Sequence, residues 1–252
     1  MKSDSQIKEE VREKYTEVAK GNIKAIVTAE KSCGCGCKDV VDISLNYSDA
    51  DKAALPEGAD LGLGCGTPTA FADIKEGMTV LDLGSGAGID CFIAARWVGA
   101  KGKVVGIDMT EEMIRKANEN KSKVNALNVD FRFGEIESLP IDDGTVDRII
   151  SNCVINLVPN KKKAFSEIYR VLKTGGKFTV SDIVTDGKIT EEEKRDASLW
   201  AGCVSGALDR QDYLAIIAKS GFKDVHVSSL TKNDYQLMSG AGIYSITVTG
   251  TK

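Results

Sequence analysis

Thr79-Val-Leu-Asp82-Leu-Gly84-Ser85-Gly86-Ala-Gly88 is the stretch whose reading decides the fold. Val80, Leu81 and Leu83 form a short apolar run of strand character, and three alternating glycines end it in a turn. Past the turn, Ile89, Phe92, Ile93, Ala94 and Trp97 fall on one face of a predicted helix. Strand, glycine turn and helix in that order place the amides of the helix start at the carboxyl edge of a parallel sheet. That crevice is where open α/β sheets bind nucleotides. Glycine serves in the turn because a Cβ would block positive φ and the close approach of a ligand.

Working outward, Lys103–Ile107 reads as a second strand ending in Asp108, where an acid suits hydrogen bonding to ribose hydroxyls. Met109 follows with an apolar side chain able to cover an adenine face. Thr110, with Glu111 and Glu112 behind it, starts a helix. Val129–Phe133 alternates as a third strand and runs into Gly134-Glu135-Ile136-Glu137. There Glu135 can accept from an adenine amino group while the next amide, that of Ile136, donates to the ring. Val146–Ile150 is a fourth strand whose end lies beside the glycine turn, so Asn152 and Cys153 should border the ligand. Asn160 caps a helix carrying Ala164, Phe165, Ile168 and Leu172, closed by Gly175-Gly176, and Lys177–Asp182 is the fifth strand. The pattern Gly-x-Gly-x-Gly, with Asp82 two residues ahead, is not the dinucleotide Gly-x-Gly-x-x-Gly. It resembles the class I S-adenosylmethionine methyltransferases. The resemblance implies an α/β, Rossmann-like sheet, mostly parallel with an antiparallel final strand.

The 252 residues suffice for one large α/β domain, or one domain with an appended arm, stable without covalent staples. A net charge of −4 argues against a broad nucleic-acid or anionic-membrane footprint. No apolar run approaches the about 18 residues of a spanning helix, and the charged N-terminus lacks a signal-peptide core. No membrane and no nucleic-acid partner are therefore expected, and a cytoplasmic location is the default. The organisation expected is an N-terminal helix, cysteine-rich arm and substrate loop over 1–68, then a methyltransferase domain over 69–252. Within the latter, 186–209 forms a cover on the substrate side.

Ile7, Val11, Tyr15 and Val18 recur at helical spacing up to Gly21, predicting an amphipathic helix that packs on the main domain. Seven cysteines, an odd and unevenly spread set, read as reactive or ion-binding thiols rather than bridges. Cys33, Cys35 and Cys37 stand among glycines between Lys31 and Lys38. Structural zinc wants four ligands at other spacings, and neighbouring lysines lower thiol pKa. A mobile redox or soft-ion arm is therefore favoured over zinc. Residues 39–60 look like surface connection. In the loop Leu61–Pro68, Gly64 and Gly66 bracket Cys65 and leave its sulfur unshielded. Cys91, beside Phe92 and Ile93, reads as a small buried apolar residue.

Thr190 and Glu193 make a capping-box start for a helix expected to reach Trp200 and Cys203. Asp209 caps a further helix to Gly221, and strands around Val225–Val227 and Tyr244–Thr249 finish the chain. His226, the single histidine, falls mid-strand away from the catalytic edge, and a structural role is expected for it. By strand order Cys153 lies at the cofactor edge, and Cys65 and Cys203 occupy the segments best placed to cover it. Methylating oxygen or nitrogen often requires a base or a metal. A nucleophile without a proton needs none, and soft thiolates prefer soft centres. Trivalent arsenic held by thiolates keeps an unshared pair, so the chemistry points to a thiophilic metalloid.

Here the resemblance becomes specific. The chain is similar over nearly its whole length to the arsenite S-adenosylmethionine methyltransferases. The matching segments are Val11–Tyr15, Gly62–Gly66, Asp82–Gly88 with Asp90, Ser151–Asn160 and Ala201–Ala207. The resemblance implies that Cys65, Cys153 and Cys203 bind As(III) and that an arm cysteine among Cys33, Cys35 and Cys37 joins a disulfide relay. It implies that S-adenosylmethionine is held by Asp82, Gly84, Ser85, Gly86, Gly88, Asp108, Met109, Glu135, Ile136, Asn152 and Leu157. Thioredoxin or glutathione would serve as the thiol reductant. Some relatives continue past the last strand, where this chain stops. Two other readings stay open on residues alone: a methyltransferase for a small organic acceptor with incidental cysteines, and a non-catalytic thiol-based metalloid-binding protein.

Overall fold

The computed structural model describes residues 3–22, 47–48, 51, 55–195, 204, 206–233 and 237–252. The apolar run at the head of the glycine turn is strand β1 (Thr79–Leu83), with Val80, Leu81 and Leu83 wholly buried. It shows no polar–apolar alternation because helices cover both faces of a parallel sheet. Strands β2 (Lys103–Asp108) and β4 (Val146–Asn152) flank it in parallel. Outside these lie β3 (Val129–Phe133), paired to β2, and β5 (Leu172–Asp186), paired to β4. An antiparallel pair closes the sheet, β7 (Gly242–Thr251) lying between β5 and β6 (Lys223–Asn233), in the order β3-β2-β1-β4-β5-β7-β6.

The chain builds outward from β1 to β3 and then returns to the other side of β1. The gap between β1 and β4 is thus the switch point at which such sheets open a crevice. Leu83 pairs with Ser151, so the glycine turn and Asn152 leave the sheet side by side.

One face is covered by α5 (Lys161–Val171) and α6 (Arg210–Ala218), numbering the helices in chain order. Phe165 there meets Phe178 and Tyr213 edge to face, with ring centroids 6.0 and 6.1 Å apart. The other face is covered by α3 (Ile89–Val98) and α4 (Glu111–Val124), where Phe92 and Phe131 meet at 5.8 Å. The described residues before β1 include two named helices. The first, α1 (Asp4–Lys20), begins on a Ser3–Gln6 capping box, ends at Gly21 with φ 79°, and buries Val11 and Val18. The second is the single turn α2 (Pro68–Phe71).

Several expectations are corrected. Trp97 is 37 % exposed and lies outside the buried part of α3, which runs from Asp90 to Ala95 and resumes at Val98. Helix α5 ends at Val171, before Gly175, because β5 already begins at Leu172. In the connection expected at the surface, Tyr47 and Ala59 are buried. Thr190 and Glu193 exchange the expected capping bonds, at 2.8 and 3.2 Å. Glu193 also accepts from the Ser239 amide, and the described chain makes only a 3-10 turn, Glu193–Arg195. The rest of that expected helix, with Cys203, lies outside the described residues. Cys33, Cys35 and Cys37 do too. His226 stands exposed on β6 at the outer end of the sheet. Among the described residues no helix is long and apolar enough to cross a membrane.

Candidate active site

The glycine turn forms one wall of a cleft. Gly84 has φ 68°, and a Cβ on it would lie 2.4 Å from a methyl of Val154. The Asp108 carboxylate staples the turn to the end of β2. One oxygen accepts from the Gly86 amide at 3.0 Å and the other from the Thr110 amide at 2.9 Å. Burial raises its pKa, and these amides pull it back. Of the positions named from the sequence, Asp82, Gly84, Ser85, Gly86, Asp108, Met109, Glu135, Ile136, Asn152 and Leu157 line this cleft. Gly88 does not; Phe131 and Phe92 fill the place its Cβ would take. Asp82 is buried beneath the turn and accepts from the Cys91 thiol at 3.2 Å. Burial, then neighbouring Asp90, raises Asp82, while burial pushes the Cys91 thiol well up. Cys91 therefore remains a protonated donor, in keeping with its expected core role.

The residues fit an adenosine-bearing sulfonium ligand. Among the described residues the Ser85 hydroxyl, buried in the cleft wall, has no hydrogen-bond partner, and a Cβ on Gly86 would meet nothing within 4 Å. Both features leave polar and steric room for a ligand against the turn. Helix α1 lies along the adjoining rim. Lys8 donates to Glu135 at 2.7 Å and also pairs with buried Glu137, while Arg12 donates to the Met109 carbonyl at 3.2 Å. The periodicity of α1 revealed its packing face; these two cations, on the polar side of the pattern, carried no sequence signal.

Beyond the cleft, the chain leaves β4 through Asn152 and Cys153. Cys153 has φ 61°, a left-handed conformation uncommon outside glycine, and its amide donates to the Ser181 carbonyl at 2.8 Å. This turn sends its sulfur toward the loop carrying Cys65. The two sulfurs and a carboxylate oxygen of Asp182 lie within 4.8 Å of one another, all three residues buried. The sequence expectation that Gly64 and Gly66 leave Cys65 unshielded is corrected, since Cys65 is only 4 % exposed. Those glycines instead let the loop come close. A Cβ on Gly64 would be 2.9 Å from the Asn152 amide nitrogen, and one on Gly66 would be 2.7 Å from Ser181 Cβ.

Asp182 is a residue that sequence reasoning passed over, although it lies within β5, the strand next to β4. Burial pushes its pKa up to about 7, against the Lys161 ammonium and hydrogen bonds from Tyr213, Ile183 and Asn156. Two thiols beside one carboxylate form a donor set suited to a thiophilic centre. Val204 and Ala207 are buried in the same apolar cluster as Cys65 and Cys153.

Residues 74–225 match the family described as "Methyltransferase domain". The arsenite methyltransferase of Halobacterium salinarum is 45 % identical over 231 residues, covering 88 % of this chain and 58 % of that protein. The human arsenite methyltransferase is 40 % identical over 168 residues, 63 % of this chain and 44 % of that one. The solved arsenic(III) S-adenosylmethionine methyltransferase of Chlamydomonas reinhardtii superposes with a TM-score of 0.69 at 34 % identity, covering 82 % of this chain and 71 % of that one. The chain belongs to the arsenite methyltransferase family. It spans about half the length of the curated relatives it matches, 58 % of the archaeal one and 44 % of the human one. Within this family member the fold is the class I methyltransferase sheet expected from the glycine turn.

The family's Gly-Cys-x-x-Gly-Ala segment yields a first prediction. A Cβ on Gly206 would sit 2.1 Å from the main-chain oxygen of Asn156, which cannot move aside as a side-chain tip can. Gly206→Ala is expected to push Val204 and Ala207 off the thiol cluster. Arsenite turnover should fall at least about tenfold, the cost of roughly 1.4 kcal/mol of displaced geometry. S-adenosylhomocysteine affinity, measured by calorimetry, should stay near that of the parent.

Proposed function

We propose that this protein transfers the methyl group of S-adenosylmethionine to trivalent arsenic held by cysteine thiolates. The observation that carries the reading is the meeting of Cys65 and Cys153, distant in sequence, in a buried cluster next to the glycine-turn cleft. S-adenosylmethionine, when bound, supplies an electrophilic sulfonium methyl. Asp82, Gly84, Ser85, Gly86, Asp108, Met109, Glu135, Ile136, Asn152 and Leu157 are the residues that would hold it.

The chain's own part is to capture arsenic and exclude water. Cys65, Cys153 and Cys203 would displace a small thiol carrier from As(III) and keep its unshared pair toward the cleft. That position of Cys203 is supported by the burial of its neighbour Val204 with the other two cysteines. No base is needed for the methyl step, because arsenic carries no proton to remove. The methyl step moves positive charge from sulfur to arsenic and spreads it in the transition state, and the apolar wall formed by Val11, Leu157 and Ile183 around the thiols favours that dispersal over a localised sulfonium.

Alkylation formally takes arsenic from the trivalent to the pentavalent state. Two thiols that join as a disulfide return the two electrons, and a cysteine among Cys33, Cys35 and Cys37 would share in that step. Thioredoxin or glutathione then restores the thiols by exchange. A reducing compartment such as the cytoplasm suits both steps.

The test is arsenic speciation by mass spectrometry after incubation of the full chain with arsenite, S-adenosylmethionine and glutathione. Methylated arsenicals are expected in proportion to S-adenosylhomocysteine formed. Arsenite recovered unchanged while a small organic acceptor is methylated would overturn the reading. Arsenite bound but never methylated would replace the enzyme with a metalloid-binding protein.

A further inference from the structure

We propose that Asn152 is a positioning residue that clasps the Cys65 loop to the cofactor cleft, so that filling the cleft orders the thiols. The inference rests on the arsenic reading above, and the amide of Asn152 makes its physical case. Its Oδ1 accepts from the Cys65 backbone N–H at 3.0 Å, and its Nδ2 donates to the Gly66 carbonyl at 2.9 Å. One side chain thus holds the backbone N–H of Cys65 and the carbonyl of the next residue. Gly64 permits the approach, since a Cβ there would collide with the same amide.

The same Nδ2 donates to the Asp90 carboxylate at 3.1 Å and to the Tyr47 hydroxyl at 3.0 Å. Tyr47 in turn donates to the other Asp90 oxygen at 3.0 Å. Tyr47, Asp90 and Asn152 all line the cleft. Two amide hydrogens therefore serve three acceptors. A ligand that draws on Tyr47 or Asp90 changes the share left for Gly66, and with it the hold on Cys65. Only a carboxamide offers an acceptor and a donor in this fork. Serine is too short for it, and aspartate would set an oxygen against Asp90 and the Gly66 carbonyl.

Coupling between two binding events is reciprocal and is read as a ratio of affinities. The experiment measures arsenite affinity of the full chain, by calorimetry in glutathione buffer, with and without saturating S-adenosylhomocysteine. In the parent, S-adenosylhomocysteine should tighten arsenite binding about tenfold, and arsenite should tighten S-adenosylhomocysteine binding by the same factor. In Asn152→Asp, checked for folding by thermal melt, the factor should fall to about one.

A merely structural asparagine would weaken both affinities and leave their ratio intact, which would overturn the proposal. So would a parent with no coupling. If Asn152→Asp does not fold, Tyr47→Phe decides instead. It removes one hydroxyl from the network and should cut the factor at least about threefold; an unchanged factor overturns the proposal. A parent that binds no arsenite defeats the arsenic reading, and the clasp is then read from iodoacetamide alkylation of Cys65, mapped by mass spectrometry. S-adenosylhomocysteine should slow it at least about fivefold in the parent and not in Asn152→Asp, and equal slowing in both overturns the clasp.

Discussion

Cys153→Ser is expected to lower arsenite methylation at least about a thousandfold while S-adenosylmethionine binding stays within about threefold of the parent. The size follows from chelation. A metalloid held by several thiols on one scaffold gains about 10²–10⁴ in retention from each intramolecular attachment, and losing one forfeits that factor. Arsenic bound by fewer sulfurs also swings away from the direction in which its unshared pair must point, and misplacement by an ångström costs about another hundredfold. Serine keeps the size of the side chain and tolerates the left-handed φ of 61° as well as cysteine does. The amide of residue 153 still donates to the Ser181 carbonyl, so the turn at the end of β4 is retained. Cys203→Ser should behave in the same way, though its surroundings lie outside the described residues. Arsenic speciation and calorimetric titration with S-adenosylhomocysteine check both. Full turnover by either variant would remove that cysteine from the arsenic seat.

The contrast between what the sequence revealed and what it concealed follows the range of the interactions. The turn at Gly84–Gly88, the acids at the ends of β2 and β3 and the helix caps at Asn160 and Asp209 are set by neighbours in the chain. Such features leave local patterns: glycine spacing, an acid one strand further on, a capping side chain two or three residues from its amide. Resemblance added the thiol set, because the Asn-Cys-Val and Gly-Cys-x-x-Gly-Ala segments are distinctive in themselves.

Lys8 reaching across to Glu135, Tyr47 to Asp90, and Asn152 to Cys65 are bonds between segments far apart, and nothing within any one segment announces them. Asp182 shows why chemistry can hide. Read along its own strand it is only one more polar residue, with Ser181 before it and Ile183 and Val184 after it. Its meaning comes from the strand order, which sets β5 beside β4 and brings its carboxylate to the sulfurs. Cys65 misled in the opposite direction, since two flanking glycines suggest exposure. In the folded chain they admit Asn152 and Ser181 instead.

The strongest effect on the cofactor side is expected from Gly84→Ala. At φ 68° an alanine pays the left-handed penalty of about 1–2 kcal/mol. Its Cβ would also fall 2.4 Å from one Val154 methyl and 2.6 Å from the other. Neither can swing clear easily, because Val154 is β-branched and follows directly on the strained Cys153 turn. Overpacking of this kind costs about 1–3 kcal/mol more. The turn is therefore expected to open rather than absorb the whole strain. Opening shifts the amides of Gly84 and Ser85, which both donate to the Ile107 carbonyl, at 2.7 and 3.0 Å. Asp108, one residue further, then loses its grip on Gly86. A ligand bound against displaced amides should be weakened at least about a hundredfold, the equivalent of about 2.7 kcal/mol. Calorimetry with S-adenosylhomocysteine reads that loss. Arsenite affinity measured without the nucleoside should fall far less, because the Cys65 loop is held by Asn152 from the other strand. Because the collision is with Val154, Gly84→Ala combined with Val154→Ala should recover part of the affinity, while the left-handed penalty remains. Parent-like binding by Gly84→Ala alone would mean that the turn is not the cofactor wall.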